Sequence, residues 1–243
     1  MKIDINADIG EGCVNDKNLF PLISSCNIAC GGHIGDNESI NNSIKLAINH
    51  GVKIGAHPSF PDKLNFGRKL LKISSSDLQK SLKYQINMVI KIAKNYNKRI
   101  HHIKPHGALY NSAFADFKTC EVIINCIKKL PYRVSLFSQY KSLLSSLAKE
   151  NGIKIYNEVF IDREYNDDLS LVSRENKNAI TNDLNKINRK VLNIFRKKKI
   201  TSINKVILNI KADTYCIHGD NPKALIIMKS LMSYLNSYQV FLK

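Results

Sequence analysis

The sequence predicts an α/β fold: one distorted (β/α) barrel domain of about seven strands spanning residues 1–243. Three observations carry that expectation. Apolar runs of period two alternate with amphipathic helical stretches about seven times along the chain. No linker, low-complexity tract or fixed-period repeat divides it. Histidines and acids recur at the end of strand after strand, as groups do when they converge on the carboxyl-end mouth of a barrel.

The elements follow in order. Residues 2–6 read as a first strand running into the loop Asn6-Ala7-Asp8-Ile9-Gly10-Glu11-Gly12. Asp4, Asn6 and Asp8 share one side and Ile3, Ile5 and Ile9 the other, so the polar side faces solvent or a barrel interior. A short helix over 18–24 and a strand near 26–30 lead to Gly31-Gly32-His33. Asp36 is placed to cap a helix whose apolar face is Ile40, Ile44, Ala47 and Ile48. Gly51 ends it, and a third strand over 52–56 reaches His57-Pro58. The loop that follows carries Phe66-Gly67-Arg68, where Arg68 is either an anion clamp or an ordinary surface arginine. Ser74-Ser75-Ser76-Asp77 opens a long helix with Leu78, Leu82, Ile86, Val89, Ile90 and Ala93 on one face. A strand over 99–103 then enters Lys104-Pro105-His106-Gly107. Beyond it come a helix from Lys118, a strand over 133–137, a helix over 141–151 closed by Gly152, and a strand over 154–160. That last strand carries Glu158 and ends in Asp162-Arg163, which is either a site pair or a salt bridge. Residues 167–178 read as polar loop, and Leu184, Ile187, Val191 and Ile194 as a helix stripe. Strands over 205–210 and 214–218 precede a final helix with Asn221 as cap and Pro222 in its first turn.

Lys plus Arg number 37 against 20 Asp plus Glu, a formal charge of +17. Such a balance raises nucleic acid or an anionic membrane surface as partners. The lysines, however, are dispersed, the one dense run is Arg196-Lys197-Lys198-Lys199, and no basic stretch is interleaved with aromatics. The expectation is a solvated basic surface, with neither nucleic acid nor membrane as partner. The six cysteines form no C-x-x-C pair, which points to reduced thiols rather than a zinc site of paired cysteines. Met1-Lys2-Ile3-Asp4 has no secretory pattern and no apolar run reaches bilayer length, so the expected location is cytoplasmic.

The segment Ile103-Lys104-Pro105-His106-Gly107 is the centre of the functional reading. Pro105 removes a donor and fixes φ, Gly107 allows a conformation other residues resist, and Lys104 and His106 are alternate residues that an extended backbone points the same way. His33, His57 and His218 also sit beside Gly or Pro at the end of an apolar run. The collected strand-end groups are Asp4, Asn6, Asp8, Glu11, His33, His57, Arg68, Lys104, His106, Glu158, Asp162, Arg163, His218 and Asp220. Carboxylates with imidazoles suit acid–base work, Lys and Arg suit an anionic ligand, and Asp with two His is a possible divalent-metal set. No G-x-S-x-G elbow supports a serine nucleophile, and no P-loop fingerprint occurs. Hydrolysis or ring opening of a small anionic substrate is the chemistry these residues suit.

Several segments together resemble the A-subunit family of the bacterial 5-oxoprolinases (LamB/YcsF). They are Asp4–Glu11, Asn27–Asp36, Gly55–Pro58, Phe66–Arg68, Tyr84-Gln85, Lys104–Asn111, Glu158–Arg163 and Cys216–Asp220, in the family's order and covering nearly the whole chain. The resemblance implies ATP-dependent ring opening of 5-oxo-L-proline (pyroglutamate) to L-glutamate together with two partner subunits, B and C. It also implies a barrel related to the glycoside hydrolase and deacetylase barrels, whose members often hold a divalent metal. With it, Asp8, Glu11, His57, Lys104 and His106 are expected to be catalytic. Asn6, Arg68, Asn111, Asp162, Arg163, His218 and Asp220 are expected to bind substrate, and Asp8, His33 and His57 to form the metal set. A stand-alone metal-dependent deacetylase or amidohydrolase is the alternative. Where the family shows glycine or proline, this chain has Leu169 and Ser173, and it lacks glycines near 136–141 and at Asn178. The loss predicts relaxed loops and reduced activity.

Overall fold

The computed structural model describes residues 1–13 and 16–243. Seven parallel strands close into a barrel: β1 (Ile5–Ile9), β2 (Ser25–Ala29), β3 (Lys53–His57), β4 (His102–Ile103), β5 (Ser135–Gln139), β6 (Ile155–Phe160) and β7 (Thr214–Ile217). They pair in sequence order, and β7 closes the ring between β6 and β1. Outside lie α1 (Asn37–Asn49), α2 (Ser75–Lys94), α3 (Phe117–Lys128), α4 (Leu143–Glu150), α5 (Leu184–Lys197) and α6 (Ala224–Ser237). Short helices Asp16–Leu19 and Gly107–Ser112 follow β1 and β4.

Local chemistry sets these boundaries. Asp36, Ser74, Asp116, Ser142 and Asp183 each accept a backbone N–H of the first turn and so start α1 to α5. The apolar sides of strands and helices meet in one core that includes Ile3, Ile5, Ile9, Ile44, Leu82, Val89, Ile187 and Leu231. The opposite side of β1 fills the barrel interior with buried polar groups: Asn6 donates to Thr214 Oγ1 (2.9 Å) and accepts from Asn27 Nδ2 (2.7 Å). Of the two options for the Asp4-Asn6-Asp8 face, the interior is the one realised.

Gly55 shows how the interior is arranged. It stands in register with Asn27 on one side and His102 on the other. A Cβ there would lie 2.1 Å from His102 Nε2. The missing side chain lets the His102 ring cross to Asn27 Oδ1 at 2.7 Å, while Phe137 stacks on it at 3.8 Å.

Several sequence expectations are corrected. The first strand does not end at Asn6: Ala7, Asp8 and Ile9 are strand, because each pairs in register with β2, whereas Lys2–Ile3 leaves to pair with Phe241–Leu242. The fourth strand is short, since Pro105 has no N–H to continue a ladder. Of the strand expected over 205–210 only Ile207–Asn209 forms, and it pairs antiparallel with Lys199–Thr201 outside the barrel. α6 starts after Lys223, because Asn221 Oδ1 takes the Lys223 N–H in a turn and its Nδ2 reaches Asp162 and Asn182.

Two positions in the loops without glycine, Leu169 (φ +72°) and Lys141 (φ +63°), hold left-handed backbone that glycine adopts without a Cβ penalty. Leu169 is 4% exposed and packs in the core, which fixes it there despite the strain. Lys141 is exposed, so Lys141→Gly is expected to raise stability by about 1 kcal/mol. A urea midpoint unchanged or lowered by that substitution would contradict this.

Candidate active site

The carboxyl ends of the strands open on a cavity of about 530 Å³ lined by Asp8, His57, Arg68, Lys104, His106, Tyr110, Asn111, Gln139, Phe160, Arg163, Arg174 and His218, among others. At its base Lys104, 1% exposed, extends its ammonium to Asp8 Oδ1 (2.7 Å), Glu158 Oε1 (3.2 Å) and Cys216 Sγ (2.9 Å). Burial opposes that charge, but Asp8, Cys216 and Glu158 outweigh it and hold the Lys104 pKa well above its ordinary value. Lys104 therefore bridges two carboxylates of the protein.

Beside it, Asp8, Glu11, His57 and His106 offer ligand atoms that all lie within 4.8 Å of one another. His57 Nδ1 donates to the Lys104 carbonyl (2.7 Å), and His106 Nε2 donates to the Phe66 carbonyl (2.9 Å). A carbonyl only accepts, so both tautomers are fixed, and His57 Nε2 and His106 Nδ1 turn lone pairs toward each other at 3.0 Å. Asp8 Oδ2 is 3.5 Å from His57 Nε2, and Glu11 Oε1 is 3.3 Å from His106 Nδ1. Four acceptors facing one point form a cluster that can hold a divalent metal, and these residues fit one.

Electrostatics splits the two acids. Burial would raise the Asp8 pKa, but His57 and Lys104 outweigh it and hold Asp8 well below the usual carboxylate range. Burial and then the Asp8 charge raise Glu11 well above its ordinary value. Two carboxyls held apart in this way suit one base and one acid. His33 lies outside the converging set: it stacks on His106 at 3.7 Å and places Nε2 3.0 Å from Glu11 Oε1.

The other residues singled out in the sequence divide by position. Arg68 pairs with Asp220 at the mouth and lies over the Phe66 ring at 4.7 Å. His218 faces the cavity and stacks on Phe160, while its Nδ1 donates to Asp162 Oδ1 at 2.9 Å. Asp162 thus orients His218 from behind. Arg163 borders the cavity, yet its guanidinium donates to the carbonyls of Val172 and Ala179 and pins the following segment. Asn111 lines the wall, and Asn6 sits deeper in the barrel.

Sequence reasoning missed Asn27, His102, Tyr110, Gln139 and Arg174. Asn27 donates to Asp8 Oδ1 (2.8 Å) while His102 fixes its amide. Period two along β2 and β5 would have pointed Asn27 and Gln139 inward once the register was known. Arg174 carries no local signal.

Buried histidines give the domain a pH dependence. Burial first, and then neighbouring positive charge, lowers His33 to about 3 and His101 to about 4, and lowers His102 and His106 well below 6.5. Each binds a proton more readily when unfolded, so each favours the native state above pH 6.5 and loses that contribution as pH falls toward its folded value, His101 least because it is partly open to solvent. Glu11 and Asp16, the latter raised to about 6 chiefly by burial, act in the opposite direction, but these are two groups against four. The urea midpoint of the metal-free chain should fall between pH 7.5 and 5.0; equal midpoints would contradict the burial of these rings in the native state.

Comparison with known proteins agrees with this architecture. The chain is 38% identical over 245 residues to the 5-oxoprolinase A subunit of Campylobacter jejuni subsp. doylei, covering 99% of this chain and 96% of that protein. The crystal structure of a lactam utilization protein from Thermus thermophilus superposes with a TM-score of 0.91 at 31% identity, covering 100% of this chain and 99% of the other. A GH113 beta-1,4-mannanase shares the fold alone, with a TM-score of 0.55 at 12% identity over 98% of this chain and 100% of the other. A model of the LamB/YcsF family matches residues 3–243, and with a full-length relative at this identity the chain belongs to that family.

Proposed function

We propose that this chain is the A subunit of a 5-oxoprolinase and, with partner subunits B and C, opens 5-oxo-L-proline to L-glutamate at the expense of ATP. The observation that carries the reading is the convergence of Asp8, Glu11, His57 and His106, three of which (Asp8, His57 and His106) line a cavity bordered by Arg68, Arg163 and Arg174, which suits a small anionic amide. The names of the full-length relative and of the lactam utilization protein support the same substrate class.

The chain's own groups suit a hydrolytic ring opening. Asp8, held ionised, takes a proton from the attacking water. Glu11, held protonated, passes its proton through His106 Nδ1 toward the departing ring nitrogen. His57 is fixed by the Lys104 carbonyl and keeps its Nε2 lone pair on the reacting region. Lys104 keeps the base of the site cationic while charge develops above it. A divalent metal held by Asp8, Glu11, His57 and His106 would require Glu11 ionised and would occupy His106 Nδ1, so it would polarise the amide carbonyl in place of this proton relay. An unstrained lactam is a poor electrophile, and ATP supplies both the driving force and an activated amide oxygen. The chain has no P-loop fingerprint, and we assign nucleotide use to the partner subunits.

Omission assays test the reading. Glutamate should form from 5-oxo-L-proline only when this chain, both partners and ATP are present together. The metal-type donor set by itself also suits a stand-alone deacetylase or amidohydrolase. Turnover of an acetylated sugar or simple amide by the metal-loaded chain alone, without ATP, would replace the 5-oxoprolinase reading with that one.

A further inference from the structure

Beneath the site, one chain of side-chain hydrogen bonds threads the barrel interior from Asp4 to Asp8. Asp4 Oδ2 accepts from the Lys53 ammonium (3.1 Å), and its Oδ1 accepts from the Thr214 hydroxyl (2.8 Å). Thr214 gives its hydrogen to that carboxylate, so its oxygen accepts from Asn6 Nδ2 (2.9 Å), and Asn6 turns Oδ1 to Asn27 Nδ2 (2.7 Å). The same Asn27 nitrogen donates to Asp8 Oδ1 (2.8 Å). Both amide hydrogens of Asn27 are thereby engaged, and its Oδ1 accepts the Nε2–H of His102 (2.7 Å). Only one orientation of each amide completes the chain. The His102 ring reaches Asn27 because Gly55, between them on β3, has no side chain: a Cβ there would lie 2.1 Å from His102 Nε2. Asn27 and His102 are fully buried and do not line the cavity, so any part they play in the chemistry runs through Asp8.

The upper end of this chain separates the two Asp8 oxygens. Oδ1 accepts from Asn27 Nδ2 and from the Lys104 ammonium (2.7 Å), while Oδ2 stands 3.5 Å from His57 Nε2 and is left to the cluster. Lys104 alone would not enforce that separation. An ammonium is a compact charge with rotatable donors, and a carboxylate beside it can turn to offer either oxygen or both. The Asn27 amide adds a second, directional donor on Oδ1, which fixes the plane of the carboxylate. We infer that Asn27 and His102 are positioning residues for the reaction: His102, reaching across Gly55, orients the Asn27 amide, and Asn27 holds Asp8 so that Oδ2 faces the reacting region beside His57 Nε2. This inference rests on the reading of Asp8 as a working group in the ring opening of 5-oxo-L-proline.

Steady-state turnover of 5-oxo-L-proline by assembled complexes, together with crystal structures of the variant chains, tests the assignment. His102→Phe keeps a ring to stack on Phe137 but removes the donor to Asn27, and should lower kcat about 10–100-fold with KM unchanged. His102→Gln, whose amide can place a donor near the Nε2 position, should recover most of that loss. Asn27→Leu should lower kcat at least as far as His102→Phe. Combining the two should add no further loss, because His102 acts only through Asn27. In both single variants the Asp8 carboxylate should be found rotated, with both oxygens turned to Lys104. An unrotated carboxylate, or wild-type kcat in both folded variants, would overturn the inference and leave the 5-oxoprolinase reading standing. Losses that Gln fails to recover and that multiply in the double variant would give His102 a packing role alone and overturn it equally. If the wild-type complex did not turn over 5-oxo-L-proline, the functional reading would fall, and the orientation of Asp8 in the variant crystals would decide the positioning by itself.

Discussion

Lys104→Met is expected to lower the stability of the domain by about 3–5 kcal/mol and to abolish turnover, the largest effect of any single substitution considered. The ammonium is buried between Asp8 and Glu158, so removing it leaves two carboxylates facing each other without water. Their repulsion must then be relieved by protonation or by opening of the barrel mouth. The variant Lys104→Met with Asp8→Asn and Glu158→Gln removes all three charges and should recover most of the stability while remaining inactive. A Lys104→Met chain with a wild-type urea midpoint would show that the ammonium does not neutralise these acids. The same geometry explains why Lys104 is poorly placed to anchor a substrate carboxylate: its nearest partners already belong to the protein.

His106→Asn is expected to lower turnover of the assembled complex by about 10²–10⁴-fold, the usual range for loss of an acid–base group. Its effect on folding should be small beside that of Lys104→Met. The His106 ring is neutral in the folded chain, because burial first, and then the neighbouring His33 and His57 rings, lower its pKa well below 6.5. Asn can restore the donor to the Phe66 carbonyl, but it cannot present an imidazole lone pair to Glu11 and His57. Near-wild-type turnover in a folded His106→Asn complex would reduce the Lys104-Pro105-His106 segment to a structural turn.

The barrel was legible because each strand end is marked by a change of period and by Gly, Pro or a capping residue, signals that act within a few residues. The same local logic exposed Asp8, His57 and His106, which stand on or just after strands whose carboxyl ends face one mouth. Ile207–Asn209 misled, since an apolar β-prone run reads alike whether it pairs inside a barrel or with Lys199–Thr201 outside it. Asn27 and His102 stayed hidden for a related reason. Their meeting depends on the register of three strands and on the missing side chain of Gly55. Arg174 was the least accessible, because its position follows from Arg163 pinning the carbonyls of Val172 and Ala179. The lost glycines were visible in the sequence, but their consequence was not. Leu169 accepts a left-handed backbone because its side chain is buried, a tertiary fact.

The central claim is that Asp8, Glu11, His57 and His106 act as one centre on the lactam. A double-mutant cycle in 5-oxo-L-proline turnover tests it most directly, using complexes assembled with His57→Asn, with His106→Asn and with both. Groups that serve one centre lose their function together, so the double variant should be no slower than about the worse of the two single variants. If the two losses multiplied, or if both single variants turned over at the wild-type rate, the two imidazoles would not share a catalytic centre and the account would be wrong.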